Sequence, residues 1–174
     1  MQALTYWKTV TRDEVNLLEQ IVAFLSQHRI RYCVIGGQGV NAYVEPVVSL
    51  DLDIAIVADQ LEQVEALLQT SAFEVKRFPH SLNLTLPGSD VRVQIQTDAR
   101  YAVFPERAVE RDVLGLTLPV ATLPDILQGK VWAVQDPTRR ASKRQKDLAD
   151  IARLLEAYPE LRAQVPEVIL ARLL

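Results

Sequence analysis

The sequence is poor in the residues that build disulfide frameworks and zinc sites. Its 174 residues include one cysteine and two histidines. Cys33 stands alone inside an apolar run, which excludes a disulfide within the chain and a cysteine-based zinc cage, and fits a reducing compartment. His28 and His80 lie far apart and have no neighbouring ligand pattern, so they do not predict a zinc site. We therefore expect a cytoplasmic protein.

Long apolar runs and a strong net charge are also missing. The longest uncharged run, Tyr32 to Val44, has 13 residues and contains two adjacent glycines. A membrane-spanning helix needs roughly 18 or more apolar residues, so we expect no membrane partner. The net charge is −3, from 19 Lys and Arg and 22 Asp and Glu. Such a small value gives no reason to expect a general binder of nucleic acids or anionic membranes.

The remaining composition is that of an ordinary folded protein, with 49% hydrophobic and 24% charged residues. The length suits one domain with a substantial core and is short for two. Neither an internal repeat nor a low-complexity linker divides the sequence. We expect a single domain over residues 1–174, with an α/β core over about 1–120 and a helical part over about 121–174.

Hydrophobic periodicity predicts alternating helices and strands in the first half. A capping-box pattern at Thr11 and Glu14 predicts a helix from Thr11 to about His28. Short β-rich runs predict strands, and apolar residues at helical spacing predict further helices. The predicted strands are 32–35 and 50–57, and the predicted helices between and after them are 38–44 and about 59–71.

The second half begins with a hairpin. Leu82, Leu84 and Leu86 alternate with polar residues, as do Val91, Val93 and Ile95, and a Pro-Gly-Ser-Asp turn separates the two runs. A strand at 116–120 and helices at about 122–135, 141–158 and from 166 follow. The whole pattern predicts an α+β fold, α/β in the loose sense, in which helices flank a small mixed sheet and a helical C-terminal part completes the core.

Two aspartates on the second predicted strand are the most informative feature. Side chains alternate along a strand, so Asp51 and Asp53 face one side, about 7 Å apart at their Cα atoms, while Leu50, Leu52 and Ile54 face the core. Two neighbouring carboxylates repel each other and resist desolvation, and a divalent cation removes both difficulties. Magnesium uses one or two carboxylates together with substrate phosphates. The alternative is a solvent-facing strand edge.

Gly36 and Gly37 follow the first predicted strand, and 13 residues separate Gly37 from Asp51. Glycine allows a backbone to approach a phosphate closely, and the following helix offers free N–H groups at its N-terminus. The alternative is a plain tight turn. Together, in this order and spacing, the glycine pair and the aspartate pair favour a site for a metal-bound nucleotide over the two alternatives.

A basic segment lies near the C-terminus. Residues 130–146 contain six basic residues and one acidic residue, a net charge of +5 that leaves −8 for the rest of the chain. This charge suits a triphosphate or an RNA backbone. The alternative is a solvated helix face, on which Lys143 pairs with Asp147 and Lys146 with Asp150 at i,i+4 spacing.

These motifs resemble a known superfamily. A strand, Gly36-Gly37, a helix and a strand carrying Asp51-Leu-Asp53 are similar to the nucleotidyltransferase fold of DNA polymerase beta, antibiotic nucleotidyltransferases and minimal nucleotidyltransferases. The segment Lys130-Val-Trp-Ala, then Arg139-Arg140 and Lys143-Arg-Gln-Lys146-Asp147-Leu-Ala-Asp150, is similar to the C-terminal motif of AbiEii-like abortive-infection toxins and their uncharacterised relatives. The resemblance covers about residues 20–155.

The resemblance implies a role for each matching residue. Asp51 and Asp53 would hold Mg²⁺, or Mn²⁺, against a nucleoside triphosphate and, with Lys146, form the catalytic set. The residues implied to bind the nucleotide are Gly36, Gly37, Ser49, Lys130, Lys143 and Asp147. The implied reaction moves a nucleoside monophosphate from an NTP to a hydroxyl of RNA, for example tRNA, or of a protein. A toxin–antitoxin or phage-defence context implies an antitoxin partner.

The sequence departs from the superfamily at a third acidic position. Active members carry another carboxylate on a later strand, but the polar face of the hairpin strand here shows Arg92, Gln94 and Gln96. Asp90 and Asp98 are the substitutes if the hairpin register allows, although a turn explains Asp90 and a strand-end cap explains Asp98 equally well. Three hypotheses therefore stay open: an active nucleotidyltransferase, a catalytically reduced one that binds a nucleotide or a partner protein without transfer, and a structural or regulatory subunit with no nucleotide affinity.

Overall fold

A seven-stranded mixed sheet runs through residues 3–173, which the computed structural model describes. The strand order is β3-β4-β5-β2-β1-β7-β6. β1 pairs with β7, and β2 with β5, in parallel, and the other neighbours are antiparallel. The strands are β1 (Tyr32–Ile35), β2 (Asp51–Ile56), β3 (Glu74–Phe78), β4 (Ser81–Thr85), β5 (Arg92–Gln96), β6 (Val109–Val113) and β7 (Leu116–Val120).

Helices fill the connections and the C-terminal third. The α-helices are α1 (Ala3–Thr11), α2 (Leu17–Gln27), α3 (Gly36–Asn41), α4 (Leu61–Gln69), α5 (Leu123–Gln135), α6 (Ala141–Ala157) and α7 (Glu167–Leu170). Short 3-10 turns occupy Ala58–Gln60, Ala99–Tyr101, Phe104–Arg107 and Pro159–Gln164. No helix within residues 3–173 is both long enough and apolar enough to cross a membrane.

The central strands separate an apolar face from a polar one. Leu52 and Ile54 of β2 are buried, as are Val93 and Ile95 of β5. Because side chains alternate along a strand, the intervening residues of both strands share the opposite face. Helix α6 adds its buried stripe, Leu148, Ile151 and Leu154, to the same continuous core. The polar face of the sheet is thereby left for a site.

The predicted fold class is confirmed, as is the hairpin, in which β4 and β5 pair antiparallel. The predicted helix start at Thr11 is wrong. Thr11 is the last residue of α1, where its hydroxyl donates to the carbonyl of Trp7 over 2.8 Å. Helix α2 begins six residues later, and the Asp13 carboxylate accepts a 3.0 Å hydrogen bond from the backbone N–H of Leu17.

Three further differences have local causes. Leu50, expected in the core, precedes β2 and is 45% exposed. Strand β3 was not predicted because all five of its residues are exposed, so no apolar alternation marks it. Helix α1 and strand β6 were also not predicted, and β6 buries only Val113.

Candidate functional site

A cleft of about 840 Å³ opens over the polar face of β2, β4 and β5. One wall is the sheet, which contributes Asp51 and Asp53. The facing wall comes from α5, the link to α6 and the first turn of α6, which contribute Lys130, Arg139 and Lys143. The predicted acidic pair and the predicted basic segment therefore face the same space.

The glycine pair lies at one end of the cleft, where β1 passes into α3. Gly36 has φ +65°, in the left-handed region, and a Cβ atom placed on it would overlap the Asp53 carboxylate and lie 2.8 Å from Asp53 Cβ. The antiparallel register places Ile35 opposite Asp53, which brings this turn against the aspartate. Only glycine fits there, because any side chain would collide with Asp53.

Ser49 and Lys146 both lie close to Gly37. A Cβ atom on Gly37 would lie 2.6 Å from Ser49 Oγ and 3.8 Å from Lys146 Nζ. The Ser49 carbonyl accepts hydrogen bonds from Gln38 Nε2 (2.8 Å) and Trp7 Nε1 (2.7 Å), which fix the segment that enters β2. Five of the predicted site residues therefore meet around the glycine turn: Gly36, Gly37, Ser49, Asp53 and Lys146.

Asp51 shares the face of Asp53 and is already partnered by cations. The parallel register of β2 and β5 places Arg92 beside it, and Arg92 Nη2 lies 2.5 Å from Asp51 Oδ2. Lys143 Nζ lies 3.8 Å from the same oxygen. The negative charge of Asp51 is therefore compensated by residues of this chain.

Asp53 contrasts with Asp51. Among the residues that the structure describes, none donates a hydrogen bond to its carboxylate or forms an ion pair with it. Desolvation raises the pKa of Asp53, and the charge of Asp51 raises it further, against the opposing effect of Lys130, Arg92 and Arg139. The ionised form of such an unpaired, desolvated carboxylate is stabilised by any positive charge that binds nearby.

The third carboxylate is missing from the geometry as well as from the sequence. Gln94 lies beside Asp53 and Gln96 beside Ala55 in the β2–β5 register. Asp90 pairs with Arg12, and Asp98 accepts from the backbone N–H of Arg100 as a cap and pairs with its side chain. Within residues 3–173, no three acidic, histidine or cysteine side chains come together as a metal-binding group.

Part of the basic segment forms a buried ion-pair cluster that also borders the cleft. Lys130 Nζ lies 3.0 Å from Asp147 Oδ1 and 2.7 Å from Asp150 Oδ2, and all three side chains are buried. Burial lowers the pKa of Lys130, but Asp150 and Asp147 outweigh it and raise the pKa overall. Arg139 also pairs with Asp147, at 2.8 Å. This cluster joins α5 to α6.

The proposed i,i+4 pairs are not what these charges form. Asp147 and Asp150 pair with Lys130, while Lys143 lies against Asp51 and Lys146 near Gly37. The surface-helix interpretation therefore does not account for the segment. Sequence reasoning missed that Arg92 neutralises Asp51, because the β2–β5 register depends on residues 41 positions apart.

A family model described as "Nucleotidyl transferase AbiEii toxin, Type IV TA system" matches residues 38–174. No curated protein gives a significant match.

Several solved structures share the fold. The antibiotic-resistance factor ANT(2'')-Ia has a TM-score of 0.60 and 17% identity, covering 91% of this chain and 90% of that one. An antigenic nucleotidyltransferase-like protein from Paracoccidioides brasiliensis has a TM-score of 0.54 and 22% identity, covering 96% and 86%. The lincosamide antibiotic adenylyltransferase LnuA has a TM-score of 0.52 and 14% identity, covering 79% and 95%.

Proposed function

Since the chain belongs to the AbiEii nucleotidyl transferase toxin family, we propose that it transfers a nucleoside monophosphate from an NTP to a hydroxyl group of RNA or protein. The observation that carries this proposal is the contact between the Gly36 turn and Asp53 at the end of the cleft. This contact places a glycine backbone, which a phosphate can approach closely, beside the Asp53 carboxylate. No cationic side chain among the described residues pairs with that carboxylate. The family description further supports a toxin–antitoxin context. We extend the proposal to an antitoxin partner and a cytoplasmic location.

The chain's own cations are arranged to receive a triphosphate. Lys146 lies by Gly37, and Lys143 lies by Asp51 across the cleft. Both side chains are at least partly exposed, so their ammonium groups can contact phosphate oxygens. We assign Gly36, Gly37 and Ser49 to the phosphate-binding turn and Lys143 and Lys146 to its charge. Lys130 and Asp147 also line the cleft, where their ion pair holds α5 against α6.

The carboxylates of Asp51 and Asp53 fit magnesium or manganese by their chemistry. Both are hard oxygen ligands, and magnesium commonly binds through one or two carboxylates plus substrate phosphates. Asp53 has no cationic side chain in direct contact among the described residues, which leaves it available. When bound, the cation would supply positive charge to the phosphate oxygens as charge develops on them.

The transfer reaction does not require a general base on β5. The acceptor hydroxyl oxygen bonds to the α-phosphorus, and the bond from that phosphorus to the bridging oxygen breaks. Pyrophosphate leaves with the electron pair. Gln94 and Gln96 cannot accept the hydroxyl proton, so we assign it to water in the open cleft.

RNA is the acceptor class that the cleft charges favour. Arg140 and Lys143 line the cleft, where the carboxylates of Asp98 and the buried Asp147 are paired with Arg100 and Arg139. Arg140 forms no ion pair among the described residues, and a cleft wall rich in basic side chains attracts a polyanion and disfavours a polycationic antibiotic.

Labelled NTPs test the proposal directly. Purified protein is incubated with each α-labelled NTP, Mg²⁺ or Mn²⁺, and either total RNA or cell lysate. We expect label in the RNA fraction, lost by at least a hundredfold in Asp53→Asn and retained in the matched control Asp59→Asn, whose carboxylate is exposed outside the cleft. Label in a protein band would identify the protein acceptor instead. No label with any NTP would contradict transfer.

A second candidate is nucleotide binding without transfer. It is favoured by the observation that Arg92 and Gln94 occupy the strand beside the acidic pair. A protein that binds without transfer would show a clear rise in melting temperature with NTP and Mg²⁺ but would incorporate no label. The absence of both would leave a regulatory subunit with no nucleotide affinity.

A further inference from the structure

We propose that Arg92 is a built-in counter-ion for Asp51 and that it exchanges this carboxylate for the phosphates of an incoming nucleotide. On this proposal, which rests on the proposed function, a divalent cation binds the cleft weakly alone and tightly together with a triphosphate. Arg92 is thus a positioning residue that couples the two ligands.

One N–H group of the Arg92 guanidinium has a hydrogen-bond acceptor, and another lacks one among the described residues. Its Nη2 donates to Asp51 Oδ2 over 2.5 Å, whereas its Nε is buried and has no hydrogen-bond partner within residues 3–173. A buried donor without a partner is costly, particularly on a charged group. Since Arg92 borders the cleft, an acceptor brought by a ligand can reach its guanidinium. Phosphate oxygens suit it, because guanidinium groups bind them through paired N–H donors.

A cation that arrives alone meets opposition at Asp51. It must displace Arg92 and approach Lys143, which lies 3.8 Å from the same oxygen. Displacement leaves the partly buried guanidinium without the carboxylate and, in the described part of the chain, without another side-chain partner. The cation's gain at Asp51 is therefore offset by the repulsion and by the loss of the ion pair.

A triphosphate removes both obstacles at once. Its negative charge compensates Arg92, Lys143 and Lys146, and its oxygens supply acceptors for the Arg92 N–H groups. Asp51 is then free to join Asp53 as an oxygen ligand. By linkage, the triphosphate strengthens cation binding by the same factor as the cation strengthens triphosphate binding.

Metal binding measured by calorimetry tests this coupling without an activity assay. MnCl₂, and separately its complex with inorganic triphosphate, is titrated into the wild type, Arg92→Met and the control Arg31→Met. Arg31 also pairs with an aspartate, Asp59, but on the surface outside the cleft. We expect Arg92→Met to bind Mn²⁺ alone roughly tenfold more tightly and the triphosphate complex about tenfold more weakly. Arg31→Met should match the wild type.

A second variant tests whether the gain in Mn²⁺ affinity depends on Asp51. Adding Asp51→Asn to Arg92→Met should abolish the gained Mn²⁺ affinity. Retained affinity in the double variant, or unchanged Mn²⁺ affinity in Arg92→Met, would overturn the proposal. If Arg92→Met does not fold, Arg92→Gln takes its place in the same titrations. A wild type that does not bind the triphosphate complex would instead contradict the proposed function, whereas normal binding with no effect at residue 92 contradicts only this inference.

Discussion

Gly36 lies against the carboxylate of Asp53, so closely that a methyl group on the glycine would overlap it. We expect Gly36→Ala to abolish nucleotide binding, because the turn must move away from Asp53 to admit the methyl group. It should also lower the free energy of unfolding by about 2–4 kcal/mol, from left-handed strain of about 1 kcal/mol plus overpacking. Urea unfolding and thermal shift with NTP and Mg²⁺ measure the two effects.

Gly115→Ala is the matched control for Gly36→Ala. Gly115 has φ +87°, but a Cβ atom there would have no described atom within 4 Å. It should therefore show only the backbone strain, about 1 kcal/mol, with nucleotide binding intact. Equal losses of stability in the two variants would mean that the contact with Asp53 does not constrain the turn.

Lys130 holds together the carboxylates of Asp147 and Asp150 between α5 and α6. Replacing it with methionine keeps the side-chain length but removes the one buried cation that both carboxylates share, so that Asp147 keeps only Arg139 and Asp150 only Arg153 among the described residues. We expect Lys130→Met to lower the free energy of unfolding by about 3–5 kcal/mol, as measured by urea denaturation.

Lys143→Met removes a charge of the same type from a side chain that is 36% exposed. It should change the stability by less than about 1 kcal/mol while it weakens triphosphate binding. A loss of stability as large as that of Lys130→Met would contradict the distinction between the buried cluster and the cleft wall.

Local sequence patterns were sufficient to predict the acidic half of the site. Period-two alternation in β2 places Asp51 and Asp53 on one face whatever the rest of the fold does. The glycine pair after β1 was likewise visible, because no regular strand or helix needs two adjacent glycines there. The mixed sheet and the order of the central helices and strands followed from similar local periodicity.

Partners that depend on distant pairing could not be predicted in this way. Arg92 meets Asp51 only because β5 adds parallel to β2 in one register, and a shift by one residue would turn Arg92 to the other face. For the same reason the motif around Lys130 could not show that this side chain lies between two aspartates of α6. The error at Thr11 is different: a threonine that ends one helix resembles one that begins the next.

Cys33 should resist thiol reagents in the folded protein. It is fully buried in β1, and burial raises the pKa of its thiol to about 12, with a smaller contribution from Asp125. The thiolate is the reactive form, so reaction requires opening of the sheet. We expect labelling by 5,5′-dithiobis(2-nitrobenzoic acid) at pH 8 to be at least about a hundredfold slower than in urea, where one thiol per chain reacts. Rapid stoichiometric labelling of the native protein would contradict this.

Asp53 gives the stability of the protein a defined pH dependence. Desolvation, then the charge of Asp51, raises its pKa in the folded state above the 3.8 of a free carboxyl group. Between these two values the native state binds more protons than the unfolded chain, so this group lowers the free energy of unfolding as the pH rises. Above the native pKa the full cost of an ionised, desolvated carboxylate is present.

Asp53→Asn removes that cost, because the amide never ionises. The variant should be more stable than the wild type at pH 7.5 by about 1 kcal/mol, a typical gain when a functional site loses an unfavourable charge. The difference should shrink as the pH falls through the native pKa and vanish below 3.8, where both unfolded and native carboxyls are protonated. Urea titrations at matched pH values measure it, with Asp59→Asn as the exposed control. A stability gain that stays constant down to pH 3.5 would mean that packing, and not ionisation, distinguishes the two side chains.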